Sequence, residues 1–218
     1  MQDRWYADNR DVAKWGVLVH LAQRERLKAI VQVAFLRLAE RRALRSTKEG
    51  VVPMPDAVWT HFRRVESIEA LAPAIGRQVH VVSGKFDHRQ RASYLRRTVD
   101  ALEAIAGPKV VLLDPDIGVA PTFPRANHVT SEEVATVWKA LEPSDWLVLY
   151  QHASRTKNWV GQAKRKFANA CGVKGIETLR GVDFATDVAF LAAHKYHAGA
   201  PERPYIQRDD YPPAHDRL

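Results

Sequence analysis

The sequence predicts an α/β fold with three layers, α/β/α, around a mostly parallel central sheet. The first observation is that short apolar runs typical of buried strands alternate with amphipathic stretches typical of helices. The second is that the chain has 218 residues, enough for one sizeable α/β core. No linker separates the apolar segments. We therefore expect a single α/β domain over residues 1–218, with an irregular tail at about 196–218.

The first half of the chain is predicted to hold two strands between helices. Residues 9–26 repeat apolar side chains every three or four positions, as an amphipathic helix does. The apolar runs at 30–35 and 78–82 are typical of buried strands. A long helix is predicted at about 88–106, and Gly107-Pro108 ends it.

The second half repeats the alternation of strand and helix. An apolar strand at 110–113 is followed by Thr130-Ser131-Glu132-Glu133, whose spacing is that of a capping box at a helix start. The chain continues with a strand at 146–150, a basic helix at about 159–170, and strands at 176–179 and 188–193. Helical crossovers between strands are what a parallel sheet requires.

Composition narrows the class of protein. The formal net charge is +8, from 33 Lys and Arg against 25 Asp and Glu, which favours a polyanionic partner through counterion release. Cys171 is the single cysteine, so no intrachain disulfide forms and a reducing cytoplasmic location is expected. We expect neither a signal peptide nor a membrane span, because the first residues lack an apolar segment after a basic start and no later run approaches the length of a span. The Gly-Lys-Ser/Thr loop, the dinucleotide fingerprint and the Gly-x-Ser-x-Gly elbow are also absent, which argues against the enzyme classes built on them.

Two apolar runs stop abruptly on polar clusters, and this predicts an enzyme. The run at 110–113 leads into Asp114-Pro115-Asp116-Ile117-Gly118, and the run at 146–150 leads into Gln151-His152-Ala153-Ser154-Arg155. Ligands and catalytic groups collect at the carboxyl ends of strands in open α/β sheets. We expect the acidic turn and the imidazole turn to open into one pocket rimmed by cationic side chains.

The residue types in these turns suit catalysis and ligand binding. A carboxylate can hold a water, a metal or a substrate amine, and Gly118 lets the backbone approach a ligand closely. His152 can shuttle a proton or donate to a developing anion. The groups predicted to read a base or hold a phosphate are Gln151, Ser154 and Arg155. The structural alternatives are an aspartate that caps its turn and a histidine satisfied at a strand end.

Two further groups are predicted to contact substrate. A dense polar and aromatic segment at the N-terminus contributes Tyr6, Asp8, Asn9, Asp11, Lys14 and Trp15, although helix capping and a surface ion pair explain it equally well. Predicted contacts to a nucleic-acid backbone are Arg42, Arg45, Lys85, Arg89, Arg91 and Lys157.

Asp114-Pro115 and His152-Ala153-Ser154 resemble the two signature motifs of the uracil-DNA glycosylase superfamily. The resemblance implies a hydrolase that flips a base and cleaves its N-glycosidic bond, as prokaryotic antiviral enzymes do with modified phage bases. It implies a water-activating acid, for which Asp114, Asp116 and Asp8 are candidates, and His152 as the group that stabilises the departing base. The implied partner is DNA, expected to be double-stranded with modified bases, and the implied chemistry needs neither metal nor cofactor.

Three other interpretations remain open. Carboxylates at positions 8, 11, 114 and 116 are suitable Mg²⁺ ligands for a metal-dependent nuclease. Leu113-Asp114-Pro115-Asp116 is similar to the Asp-Pro-Pro-Tyr loop of S-adenosylmethionine-dependent base methylases, although the second proline, the aromatic residue and a Gly-rich cofactor loop are missing. The third interpretation is a nucleic-acid-binding module without chemistry.

Overall fold

A computed structural model of the chain describes residues 9–36, 65–82, 84–121, 123–180 and 185–196. Several predictions fall outside these residues: the candidate site residues Tyr6, Asp8, Arg42 and Arg45, and the C-terminal tail beyond residue 196. The observations below concern the described part of the chain.

Helices and strands lie close to where the sequence predicts them. The helices are α1 (Asn9–Arg24), a 3-10 helix (Val65–Leu71) that continues as α2 (Ala72–Ile75), α3 (Arg91–Glu103), α4 (Ser131–Ala140) and α5 (Trp159–Cys171). The strands are β1 (Ala29–Val33), β2 (Gln78–Val82), β3 (Lys109–Leu113), β4 (Gly118–Val119), β5 (His128–Val129), β6 (Trp146–His152), β7 (Glu177–Leu179) and β8 (Val188–His194). The predicted capping box at α4 is confirmed, because Thr130 and Glu133 each accept the other's backbone N–H.

The main sheet, as far as the structure describes it, has six strands in the order β2-β1-β3-β6-β8-β7. Strands β2, β1, β3 and β6 are parallel, and β8 runs antiparallel to both of its neighbours. The connection from β7 to β8 spans residues 180–187, shorter than the dozen or so residues that a parallel crossover needs. The mostly parallel sheet is confirmed, and β8 is its exception.

Helices cover both faces of this sheet, so the three-layer architecture is confirmed. The apolar stripes of α1 and α2 pack on one face, and those of α3, α4 and α5 pack on the other. Strands β1 and β3 are buried along their whole length, which is why they read as continuous apolar runs instead of alternating ones.

The path of the chain creates a topological switch point between β1 and β3. From β1 the chain moves outward to β2 and then crosses back to β3 on the other side of β1. Doubly wound sheets bind ligands in the crevice beyond the carboxyl ends of the strands at such a point. A small parallel pair, β4 with β5, follows β3 at this edge and was not predicted.

No helix within the described residues is both long enough and apolar enough to cross a membrane.

Candidate functional site

Side chains from α1, β1 and β3 meet at the switch point in a buried group that we call the acid–lysine cluster: Asp11, Lys14, Gln32 and Asp114. Lys14 Nζ lies 2.5 Å from Asp11 Oδ1 and 2.8 Å from Asp114 Oδ2. Gln32 Nε2 donates to Asp114 Oδ2 at 2.5 Å. Asp114 and Lys14 are each 3% exposed, so the cluster is sealed from solvent.

Each member reaches the cluster through its own local structure. Asp11 and Lys14 are three residues apart on α1, so both side chains lie on one face of the helix. Gln32 is the polar residue of the otherwise apolar strand β1, and Asp114 follows β3 directly. Burial alone would lower the pKa of Lys14, but the carboxylates of Asp114 and Asp11 outweigh it, and the pKa of Lys14 is raised above its ordinary value. The lysine is therefore a permanent cation between two acids.

A second group, the histidine cluster, consists of Arg10, His152 and Asp187. Arg10 donates to Asp187 from Nη2 at 2.5 Å, and His152 Nε2 lies 3.1 Å from Asp187 Oδ2. The other ring nitrogen of His152, Nδ1, lies 3.1 Å from the Ala153 carbonyl oxygen. The hydrogen bond from Arg10 lowers the pKa of Asp187. These side chains are 34–41% exposed, so a ligand can reach this cluster.

Tyr150 connects the two clusters. Its ring lies 5.7 Å from Lys14 Nζ, and burial raises the pKa of its hydroxyl. Asp114 and Asp187 add to that increase, while Lys14 and Arg10 oppose it, so all four charges act on this one side chain. The two clusters therefore share one face of the sheet at its carboxyl edge.

The acidic turn and the imidazole turn lie side by side. The backbone N–H of His152 donates to the Ile117 carbonyl at 2.8 Å. Gln151 fastens the same contact, because Oε1 accepts from the Val119 N–H and Nε2 donates to the Ile117 carbonyl, both at 3.1 Å. The amide predicted to read a base is thus occupied in holding the turn.

Gly118 serves this close packing of turn and strand. It adopts φ 127°, and a Cβ at this position would lie 2.2 Å from Gln151 Oε1. The close approach for which the glycine was predicted is made by Gln151, a side chain of the protein itself.

The remaining predicted residues divide between core and surface. Trp15 is 7% exposed in the apolar core, and Arg91 is held by Glu133 at 2.6 and 2.7 Å and by the His128 carbonyl. Trp15 therefore contributes to the core, and Arg91 ties α3 to the start of α4. Asn9 begins α1, Asp116 is partly buried in the acidic turn, and Lys85, Arg89, Ser154, Arg155 and Lys157 are exposed near the carboxyl edge.

Sequence reasoning missed Asp187 and Arg10. Asp187 directly precedes the apolar strand β8, whose amino end lies at the carboxyl edge because β8 is antiparallel. The signal was an acid before an apolar run, and it carries information only once the direction of the strand is known. Arg10 lay inside the polar N-terminal segment already singled out, but among charged neighbours nothing distinguished it.

The carboxylates that the structure describes, which exclude Asp8, do not assemble into a metal site. Among the described residues no group of three or more His, Cys, Asp or Glu side chains is placed to hold a metal ion. Two of the four acids proposed as Mg²⁺ ligands, Asp11 and Asp114, instead bind the ammonium of Lys14.

The turn after β1 holds an unusual backbone conformation. Phe35 has φ 44°, in the left-handed region that a bulky residue rarely adopts. Its N–H donates to the Tyr94 hydroxyl at 3.0 Å, and its ring packs 5.1 Å from Phe86 and 5.3 Å from Tyr94. Such strain, held in place by packing, is common at functional sites, and here it lies at the switch point.

No protein-family model matches this chain, and a search of curated proteins finds no match either.

Proposed function

We propose that this protein is an S-adenosylmethionine-dependent methyltransferase that acts on nucleic acid. The observation that carries the proposal is the strand order, a doubly wound sheet with an antiparallel β8 inserted beside the edge strand β7. S-adenosylmethionine-dependent methyltransferases share this arrangement of strands. This is an analogy of fold, and the residues at the site must support it.

The position of the Asp-Pro loop supports the proposal. Asp114-Pro115, similar to the start of the Asp-Pro-Pro-Tyr loop of base methylases, follows β3 at the switch point. Asp114 Oδ2 accepts hydrogen bonds from an ammonium and from an amide. Asp114 is buried and held by these two side chains, so its part is to position the Asp-Pro loop at the switch point.

The residues around the switch point fit a nucleoside-bearing cofactor. Asp87 follows β2 and its side chain is 50% exposed, in the region where doubly wound folds place the carboxylate that binds ribose hydroxyls. A Gly-rich loop is missing after β1, but the left-handed Phe35 supplies the backbone turn that a glycine would otherwise provide. Asp87 and the backbone after β1 are the groups that would hold the nucleoside.

The cofactor, when bound, supplies the methyl group, and the chain must handle the proton that an amino nitrogen loses on methylation. His152 is the group at this edge suited to that task, because imidazole is the side chain most often used for proton transfer. Asp187 accepts from the Nε2–H of His152, and the hydrogen bond from Arg10 favours the ionised form of Asp187. Nδ1 is then the basic nitrogen that takes up the proton, and once protonated it donates to the Ala153 carbonyl, 3.1 Å away.

The test measures binding and transfer separately. Calorimetry with S-adenosylmethionine and with S-adenosylhomocysteine is expected to show saturable binding, which Asp87→Ala weakens at least tenfold. Transfer of a labelled methyl group to single- and double-stranded DNA and RNA is expected to fall at least 100-fold in His152→Ala while binding of the cofactor is retained. His20→Ala, which removes an exposed histidine on α1, is the matched control. Absence of binding of either compound at millimolar concentration would overturn the proposal.

A second candidate, the DNA glycosylase, is favoured by one observation, the contact of the His152 turn with the acidic turn. Its water-activating acid would have to be one other than Asp114, because Asp114 is buried and bound by Lys14 and Gln32. Incubation with plain and modified duplex DNA in EDTA separates the candidates. Strand breaks that appear only after alkali would support the glycosylase, and methyl transfer without such breaks supports the methyltransferase.

A further inference from the structure

We propose that Phe123, Arg125 and Lys166 form a docking surface for single-stranded nucleic acid. The Phe123 ring stacks on one base while the two cations contact neighbouring phosphates. The inference rests on the proposed function and deepens it, because it names how a polymeric substrate is held beside the switch point. We call these three residues the stacking surface.

The ring of Phe123 is presented to solvent. Its side chain is 82% exposed, and among the described residues the other exposed large apolar side chain is Val12, at 56%. A single exposed apolar residue is ordinary by itself. The surroundings of Phe123 give its exposure a meaning.

The segment that carries Phe123 is anchored at both ends. Before it, the Ala120 N–H donates to the Val129 carbonyl at 2.8 Å, and Lys166 Nζ donates to the Ala120 carbonyl at 3.0 Å. After it, the Arg125 N–H donates to His128 Nδ1 at 3.2 Å. Pro121 and Pro124 restrict the backbone on either side of the ring. Hydrogen bonds therefore fix the chain at Ala120 and at Arg125, three residues before and two residues after Phe123.

Positive charge gathers beside the ring. Arg125 donates its backbone N–H to His128 Nδ1, Arg91 Nη2 donates to the His128 carbonyl, and Lys166 Nζ donates to the Ala120 carbonyl. Burial and these three cations lower the pKa of His128. Arg91 is neutralised by Glu133, whereas no carboxylate in the described part of the chain pairs with Arg125 or Lys166. An aromatic ring flanked by cations without acid partners is the pattern of proteins that bind single strands by stacking and phosphate contacts.

The stacking surface is connected to the candidate site. Strand β4 lies between Asp114 and the Phe123 segment, and the Ile117 carbonyl before β4 accepts the N–H of His152. A nucleic acid that stacks a base on Phe123 is thus held beside the carboxyl edge of the sheet, where the Asp-Pro loop and the histidine cluster lie.

The test is fluorescence anisotropy with a labelled mixed-sequence 12-nucleotide single-stranded DNA, without cofactor, at two salt concentrations. Stacking of one base predicts that Phe123→Ala weakens binding by about 5- to 100-fold and that Phe123→Trp retains it. Arg125→Gln is expected to weaken binding and to lower the slope of log affinity against log salt by about 0.7, the value for one phosphate of a single strand. Val12→Ala, the other exposed apolar side chain, is the matched control and is expected to bind as the wild type does.

Three results would overturn the inference. They are no binding by the wild type, a loss of less than twofold in Phe123→Ala, and a preference for the matched duplex over the single strand. Calorimetry with S-adenosylmethionine distinguishes this from a failure of the proposed function. If binding of DNA depends on Phe123 while the cofactor does not bind, the stacking surface stands and the methyltransferase falls.

Discussion

Replacing Lys14 by methionine is expected to destabilise the fold by about 3–5 kcal/mol at pH 7.5, the range for breaking a buried ion pair by removal of one partner. Lys14 is 3% exposed and bridges the carboxylates of Asp11 and Asp114 at 2.5 and 2.8 Å. Methionine keeps most of the side-chain volume, so a cavity contributes little. The loss therefore reports the two acids left without their cation.

The acidic partners predict how this loss depends on pH. Without Lys14 the buried acids favour their protonated forms, so the loss of stability relative to the wild type is expected to be smaller at pH 5.0 than at pH 7.5. Urea unfolding of the wild type and of Lys14→Met, followed by circular dichroism at pH 7.5 and 5.0, measures this loss at each pH. Lys14→Met combined with Asp114→Asn should recover part of the loss, since it removes one of the acids left without a cation.

The control for this prediction is Lys157→Met at an exposed lysine, expected to change stability by no more than about 0.5 kcal/mol. A loss below about 1 kcal/mol for Lys14→Met, or an equal loss at both pH values, would refute the buried bridge.

Three other predictions use the same unfolding assay. Gly118→Ala is expected to destabilise the fold by about 1–3 kcal/mol, because φ 127° and the 2.2 Å approach of Gln151 Oε1 both oppose a Cβ. The loss should be smaller in a Gln151→Ala background. An equal loss in that background would show that backbone strain, and not the contact with Gln151, causes it. Wild-type stability should fall as the pH drops below about 6.5, because the lowered pKa of His128 means that the unfolded chain binds the proton more readily than the folded protein. His128→Gln should make stability less dependent on pH in this range. An unchanged pH profile in this variant would contradict the role of His128. Thr130→Ala should lower the free energy of unfolding by about 1 kcal/mol, because the cap of α4 is lost. Ser131→Ala, one position later, should change it little. Equal losses in the two variants would contradict the capping box.

The fold was predictable because its signals are local. Strands β1 and β3 are buried on both faces and read as uninterrupted apolar runs, and the capping box of α4 lies within four residues. The direction of β8 was not predictable, because the direction of a strand depends on the length of the connection before it and on the strand with which it pairs. No local pattern distinguishes a parallel from an antiparallel strand of the same composition.

The site was predictable only in its location. The carboxyl ends of β3 and β6 do bring Asp114 and His152 to one edge, as expected of a parallel sheet. The residues that bind Asp114 and Asp187 were not predictable, because the pairs are far apart in the chain. Lys14 and Asp114 are separated by 100 residues, and Arg10 and Asp187 by 177. Which residue a buried acid binds is decided by the packing of α1 across the sheet.

Exposure decides which of the two clusters can take part in chemistry. Hydrolysis of a glycosidic bond needs a carboxylate that holds a water, and Asp114 is sealed beneath α1 with an ammonium and an amide on one of its oxygens. Methylation of an amine needs no activated water, but it needs a reachable group to receive a proton, and His152 is about one-third exposed. The acid–lysine cluster fixes α1 across the switch point, while the histidine cluster is open to solvent. A hydrolytic function would therefore need a carboxylate other than Asp114 at this edge, such as Asp187, whose side chain is 38% exposed.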